Sequence, residues 1–348
     1  MGDYGKWEIV KSLGEGGQCF TYLVRDSSAT ESARDSLFVL KRLKNRERIN
    51  RFEREIKISL ALEHKNIVKI IDYNLEAGKP YMVTEYYEEG DLDGTNFDSN
   101  ISWEEILNLF VRICDGVAYA HEHGVIHRDL KPKNIFLAEK GKRPVVGDFG
   151  ICFLNENGQR FTVTEEAVGA RLYMAPEMED GRVMPEKITA ASDVYSLGKI
   201  LYWLVSGGKL FAREKHRESE WDLVNLKKDR QYEVFNRLLD KMITADPSKR
   251  FQSVEDIIRE VEWMINEMIG KGANVISDKI AQLCIYCRKG YYQKYIDTRE
   301  KENSAALHNF GLNPTGTSKG WMIFICDYCG NTQFFRTDRS QNPHAWNL

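Results

Sequence analysis

Long apolar runs are missing from this 348-residue chain. None approaches the roughly 20 residues that span a bilayer. The opening, MGDYGKWEIV, lacks a basic start followed by an apolar stretch, so no secretory leader is expected. Gly2 has no myristoylation context, because Lys6 stands where that motif wants Ser or Thr. An excess of one charge is absent too: 49 basic residues face 52 acidic ones, net −3, which leaves no global field to attract nucleic acid or membrane. Internal repeats and low-complexity tracts are also lacking. Of seven cysteines, four fall as two C-x-x-C pairs, which without a leader favours metal over disulfides and a reducing, cytoplasmic setting.

What is present divides into three stretches. Up to about residue 86 the pattern is mostly strands: WEIVKSL, FTYLVRD, LFVLKRL, NIVKIIDYNL and KPYMVTEYY. One helix interrupts them, with Phe52, Ile56, Leu60 and Ala61 on a stripe. From about 87 the chain turns helical. SWEEILNLFVRICDGVAYAHEHG opens with Ser102 as cap and Glu105 in the capping-box position, and stops at Gly124. Further helices are expected in ASDVYSLGKILYWLVSG, YEVFNRLLDKMI and SVEDIIREVEWMINEMIG. Beyond residue 268 a glycine-punctuated linker, 269–280, leads to a cysteine- and aromatic-rich segment, 281–338, and a short tail, 339–348.

Short motifs of phosphate chemistry occur in order along the first two stretches. LGEGGQCFTY carries Gly14, Gly16 and Gly17 in a turn between strands, followed by Lys41 in FVLK and Glu55 on the first helix. Then come HRDLKPKN (His127–Asn134), GDFG with Asp148, and APE ending at Glu177. Singly, each has a bland reading as a turn, a solvated lysine or a helix-surface pair; the ordered set does not.

Residues 7 to about 268 resemble the protein kinase family, of the Ser/Thr type. The resemblance implies an α+β, bilobal fold, with a β-rich N-lobe (about 1–86) and a helical C-lobe (about 87–268), and ATP in the cleft between them. It implies that backbone N–H groups around Gly14, Gly16 and Gly17 cover the phosphates. Lys41 would hold the α- and β-phosphates with Glu55 fixing its ammonium, and the backbone of Glu85 to Tyr87 would bind adenine with Thr84 behind it. Asp91 would bond the ribose. Asn134 and Asp148 would bind Mg²⁺, Asp129 would orient the acceptor hydroxyl and take its proton, and Lys131 would touch the γ-phosphate. Asp193 would brace the catalytic loop, and Arg250 would pair with Glu177. The acceptor would be a protein Ser or Thr.

Two positions depart from the family pattern. Cys19 stands where a third glycine belongs, which adds bulk at the loop without removing a charge or a metal ligand. It reads as a filler or as a thiol above the nucleotide. Ala170 replaces the Thr usual before APE, with Arg171 next to it. Residues 151–168 would form the activation loop, with Thr162 and Thr164 as phosphate acceptors and Arg128 as the residue that grips the added phosphate.

In the last segment Cys284/Cys287 and Cys326/Cys329 are separated by 38 residues. Two C-x-x-C turns can supply four thiolates to one tetrahedral Zn²⁺, and this resembles a zinc ribbon. Residues 281–348 hold eight basic and five acidic side chains, while the rest of the chain holds 41 and 47. A net +3 mixed with aromatics allows nucleic-acid binding, but a structural or protein-docking knob is the preferred reading. Three functions remain open: an active kinase, a catalytically dead scaffold, or a nucleic-acid module with a regulatory kinase. Oligomeric state is left undetermined.

Overall fold

The structure is a computed structural model. It describes residues 4–28, 36–95, 101–149, 169, 171–179, 188–268, 279–283, 291–297, 321–326 and 332–336, with backbone only from 266 onward. Two compact units are present, 1–261 and 262–348.

In the first unit, five antiparallel strands form a sheet in the order β1-β2-β3-β5-β4: β1 (Trp7–Glu15), β2 (Cys19–Asp26), β3 (Leu37–Leu43), β4 (Ile70–Asn74) and β5 (Tyr81–Glu85). Helix α1 (Ile49–Ala61) packs on this sheet through Phe52 and Ile56, which meet Leu43, Ile70 and Met82. The opposite face is closed by Tyr4, Trp7, Val24, Leu40, Tyr81 and Val83. The Trp7 indole also donates to Asp72 Oδ2 at 2.6 Å, which fixes the first strand to the far edge strand.

Helix α2 (Trp103–Glu122) begins as its sequence requires: Glu105 N–H donates to Ser102 Oγ, and Ser102 N–H donates to the Glu105 carboxylate. Its Gly116 is forced by close approach, because a Cβ there would lie 2.7 Å from the Asn66 carbonyl oxygen. Asn66 in turn donates to Pro144 O and accepts from Val146 N–H, so the loop after α1 is locked to the hairpin of β6 (Ile135–Ala138) and β7 (Arg143–Val146). That hairpin carries the catalytic-loop residues on one side and GDF on the other.

The short helix α3 (Pro176–Glu179) precedes α4 (Ala190–Ser206), which is capped by Thr189 and ended by Gly207 at φ 79°. A residue at that φ is favourably glycine. Helix α4 is buried from Ala191 to Ser206, mostly through apolar side chains, with Ser192, Asp193, Ser196, Lys199 and Ser206 as its buried polar residues. Helices α5 (Leu223–Lys227), α6 (Glu233–Asp240) and α7 (Val254–Met268) complete the described helices. The expected helix in YEVFNRLLDKMI stops at Asp240, where Lys241 caps it and Phe251 N–H takes the Lys241 carbonyl.

The second unit contains a four-stranded antiparallel sheet in the order β11-β10-β9-β8: β8 (Lys279–Leu283), β9 (Tyr291–Asp297), β10 (Trp321–Cys326) and β11 (Thr332–Arg336). Among the described residues, no helix is long and apolar enough to cross a membrane.

Candidate active site

The loop His127–Asn134 is held from below by one buried carboxylate. Asp193, near the start of α4, accepts the peptide N–H of His127 on Oδ2 and that of Arg128 on Oδ1, both at 2.8 Å. His121 Nε2 lies 2.7 Å from the same Oδ2. Burial would raise the Asp193 carboxyl, but the His121 hydrogen bond and charge, with His127 and the Arg128 N–H, outweigh it and hold it below the usual range. The bracket forces Arg128 to φ 69°, a conformation that costs a non-glycine residue about 1–3 kcal/mol. The next residue, Asp129, donates its N–H to His127 Nδ1 at 3.3 Å.

Asp129 is then fixed by its neighbours. Lys131 Nζ donates to its Oδ2 at 2.8 Å, and Asn134 Nδ2 donates to both its Oδ2 (3.0 Å) and its carbonyl (2.8 Å). Asn134 therefore presents only its amide oxygen elsewhere. The Asn134 carbonyl accepts Gly147 N–H at 2.8 Å, and His127 Nε2 sits 3.0 Å from Gly147 O. The segment before Asp148 is thus bonded directly to the catalytic loop.

Asp148 also has a left-handed backbone, φ 56°. Its carboxylate pairs with Lys41, which β3 supplies from the middle of the five-stranded sheet, between Thr21 and Met82. Burial alone would raise Asp148 and lower Lys41. The attraction between them prevails in both cases, so the carboxyl lies below and the ammonium above its ordinary range. Phe149 is buried against the His127 ring, centroids 4.7 Å apart.

The expected Lys41–Glu55 bond is replaced by Lys41–Asp148. Glu55 is close enough to act on Lys41 electrostatically, yet no ion pair joins them within 4 Å among the described residues. Burial is the main cause that pushes the Glu55 carboxyl up to about 7, and the Asp148 charge adds to it against Lys41 and Arg51. With one ammonium and two carboxyls, Lys41 neutralises the carboxylate that stays ionised.

At the loop, Gly16 N–H donates to Cys19 O at 3.0 Å and closes the β1–β2 turn. Cys19 packs against the cluster of Leu43, Phe52, Ile56, Ile70 and Met82. Its thiol is pushed up to about 11, chiefly by burial and then by Glu55. A thiol packed in this way and pushed toward its protonated form fits the filler reading better than that of a reactive thiol above the nucleotide. An added Cβ at Gly14 or Gly17 would meet nothing within 4 Å, so glycine there leaves room for something outside the chain.

At the strand end, Thr84 is buried, Glu85 accepts from the Tyr87 hydroxyl at 3.0 Å, and Tyr87 stacks on Phe136. Asp91 Oδ1 accepts Gly94 N–H at 2.9 Å. Farther away, Arg250 forks onto Glu177 at 2.7 and 2.9 Å, as the APE resemblance implies. Thr162, Thr164 and Ala170 lie outside the described residues, as do Cys284, Cys287 and Cys329; of Cys326 only the backbone is described. Among the described residues no cluster of His, Cys, Asp and Glu forms a metal group. His121 and the Asn66–Gly116 approach carry no local sequence signal, since each works only through a partner some 50 or more residues away.

Comparison with known proteins agrees with this geometry. Residues 7–264 match the protein kinase domain model, about three quarters of the chain, and the chain belongs to that family. It is 28% identical over 266 residues to the serine/threonine-protein kinase PrkC of Bacillus subtilis, covering 74% of this chain and 40% of that protein. It is 30% identical over 279 residues to serine/threonine-protein kinase D of Synechocystis, covering 75% and 52%. With the CBL-interacting protein kinase 21 of rice it shares 34% over 214 residues, covering 60% and 39%. The chain thus spans about half or less of these relatives' length. The crystal structure of the Mycobacterium tuberculosis PknI kinase domain superposes with a TM-score of 0.55 at 20% identity, covering 75% of this chain and 96% of that one, which shows the bilobal kinase fold.

Proposed function

We propose that this chain is an active Ser/Thr protein kinase that transfers the γ-phosphate of ATP to protein hydroxyls. The observation that carries this reading is the meeting of two bonded groups, Asp129 with Lys131 and Asn134, and Asp148 with Lys41 from 107 residues away, linked where Gly147, next to Asp148, donates its N–H to the Asn134 carbonyl. The donor set suits Mg²⁺: Asp148 supplies carboxylate oxygens and Asn134 an amide oxygen, both hard ligands. The ion, when bound, neutralises charge on the phosphate oxygens. With that charge met, Lys41 would be free to hold the α- and β-phosphates, and Glu55 would serve as the carboxylate beside it. Asp129 would accept the acceptor's proton, and Lys131, bonded to Asp129, would serve the γ-phosphate. Backbone groups of Glu85 to Tyr87 hold adenine, with Asp91 beside the ribose. Calorimetric titration with Mg·ATP tests this site: wild type should bind only with Mg²⁺ present, and Asp148→Asn should lose that dependence. Equal affinity with and without Mg²⁺ in wild type would refute it.

Phosphorylation of Thr162 or Thr164 is part of the same proposal. Arg128 Nε is buried with no hydrogen-bond partner among the described residues, and burial and the Arg54 charge depress its guanidinium despite Asp193. An added dianion would satisfy both cations.

The second unit is proposed to be a zinc ribbon held by Cys284, Cys287, Cys326 and Cys329. Topology supports this. Strand β8 ends at Leu283 and β10 at Cys326, and these ends pair with Tyr291 and Tyr292, the same end of β9. The chain therefore leaves β8 and β10 at one end of the sheet, just where each C-x-x-C pair falls in the sequence, which suits four ligands to a single ion. A protein-docking role for this unit is preferred over a nucleic-acid role, because +3 is a weak field.

A further inference from the structure

Three residues, 16–18, join β1 to β2. Gly16 and Gly17 are exposed, and they bring no side chain with which to hold the turn down. One residue outside the turn does that. Lys44, just past the end of β3, donates its backbone N–H to Gln18 O at 3.0 Å and pairs its Nζ with Glu15 Oε1 at 2.5 Å. Glu15 is the last residue of β1 and Gln18 the last before β2, so Lys44 grips the turn at both ends.

Lys44 is itself held in place. Its Nζ sits 4.9 Å from the centroid of the Phe20 ring, and the Arg42 guanidinium lies 4.2 Å from the same ring. Phe20 is the partner of Glu15 across the β1–β2 ladder and of Arg42 across the β2–β3 ladder. The ring therefore keeps the ammonium beside β2, within reach of the carboxylate on β1. The Lys44 side chain is 24% exposed and that of Glu15 60%, and a pair so open to water contributes little to global stability. Its effect falls on the turn instead. A loop that is already held loses less freedom when it closes over a ligand.

We infer that Lys44 is a positioning residue for the phosphate-covering turn: through Gln18 O and Glu15 it holds the Gly16–Gly17 backbone in the pose that meets the triphosphate. This rests on the kinase reading, which puts the triphosphate under that turn. Two roles for Lys44 differ in sign. A bare positive charge near the phosphates would be strengthened by loss of Glu15, and Glu15→Gln would then tighten nucleotide binding. A clip fails when either end is cut, so Glu15→Gln and Lys44→Met weaken binding alike, and their effects do not add.

The test measures affinity of the full chain for Mg·AMP-PNP and for adenosine by equilibrium dialysis. Lys44→Met and Glu15→Gln should each weaken AMP-PNP binding by about threefold, the scale of one partly exposed ion pair. The double variant should lose no more than either single one, and Lys44→Arg should keep wild-type affinity. Adenosine has no phosphates, so every variant should bind it as wild type does; a merely structural role would move both ligands together. Tighter AMP-PNP binding by Glu15→Gln, unchanged binding in both single variants, or a loss that adenosine shares overturns the inference. Glu15 is exposed, so its variant decides the matter even where Lys44→Met fails to fold. Wild type that binds AMP-PNP no more tightly than adenosine would instead defeat the kinase reading itself.

Discussion

At the scale of single residues, the resting site is a competition among three charges. Lys41 serves Asp148, and Glu55 is left buried with its carboxyl pushed up to about 7 from 4.5. The folded chain therefore keeps a proton on Glu55 between pH 4.5 and 7 that the unfolded chain has released. Stability falls as pH rises through that window, the reverse of a salt-bridged carboxylate. Glu55→Gln removes the titration. Its stability relative to wild type, from urea denaturation without nucleotide, should increase from pH 5 to pH 8; a constant difference would contradict the protonated Glu55. Asp193 makes the opposite case. Asp193→Asn keeps one acceptor oxygen for two peptide donors, and leaving a buried N–H unpaired costs about 1–3 kcal/mol. Urea unfolding should show that loss. Phosphotransfer should fall more than tenfold as Arg128 relaxes from φ 69°, with ATP affinity retained.

At the scale of elements, local rules account for much of the architecture. The capping box at Ser102 and Glu105, the stripe of Phe52 and Ile56, and the stop at Gly207 each mark a boundary in the sequence that the backbone follows. The site's motifs are equally legible, because Asp129, Asn134 and Asp148 sit in short ordered stretches. What is not legible is their pairing. Nothing near Lys41 says that Asp148 rather than Glu55 takes its ammonium, since that depends on the desolvation of a carboxyl on another element. Lys199 carries no sign in LGKILYW of its partners, the carbonyls of Phe211 and Arg213, which lie on a turn whose path no periodicity describes. Close helix packing makes a further prediction. A Cβ at Gly198 would lie 2.8 Å from both Ile243 Cγ1 and Met242 Cβ. Helix propensity favours Ala by up to about 1 kcal/mol, but overpacking typically costs about 1–3 kcal/mol. Gly198→Ala should therefore lower the melting temperature; a rise would mean that α4 and residues 242–243 separate easily.

At the scale of the whole molecule, two units with different sources of stability share one chain. The first has the buried clusters of a large domain. The second has four short strands, and a segment that small usually needs a metal to hold its fold. Elemental analysis of the purified chain should find one zinc per molecule, and Cys287→Ser should lose it. A zinc-free chain with β-sheet circular dichroism intact in residues 262–348 would remove the ribbon from the account. The central claim concerns the first unit. Its most direct measurement is transfer of labelled γ-phosphate from Mg·ATP to casein by wild type beside Asp129→Ala. General-base catalysis is worth about 10²–10⁴-fold, so the variant should retain at most about 1% of the wild-type rate. Equal labelling by the two proteins would contradict it.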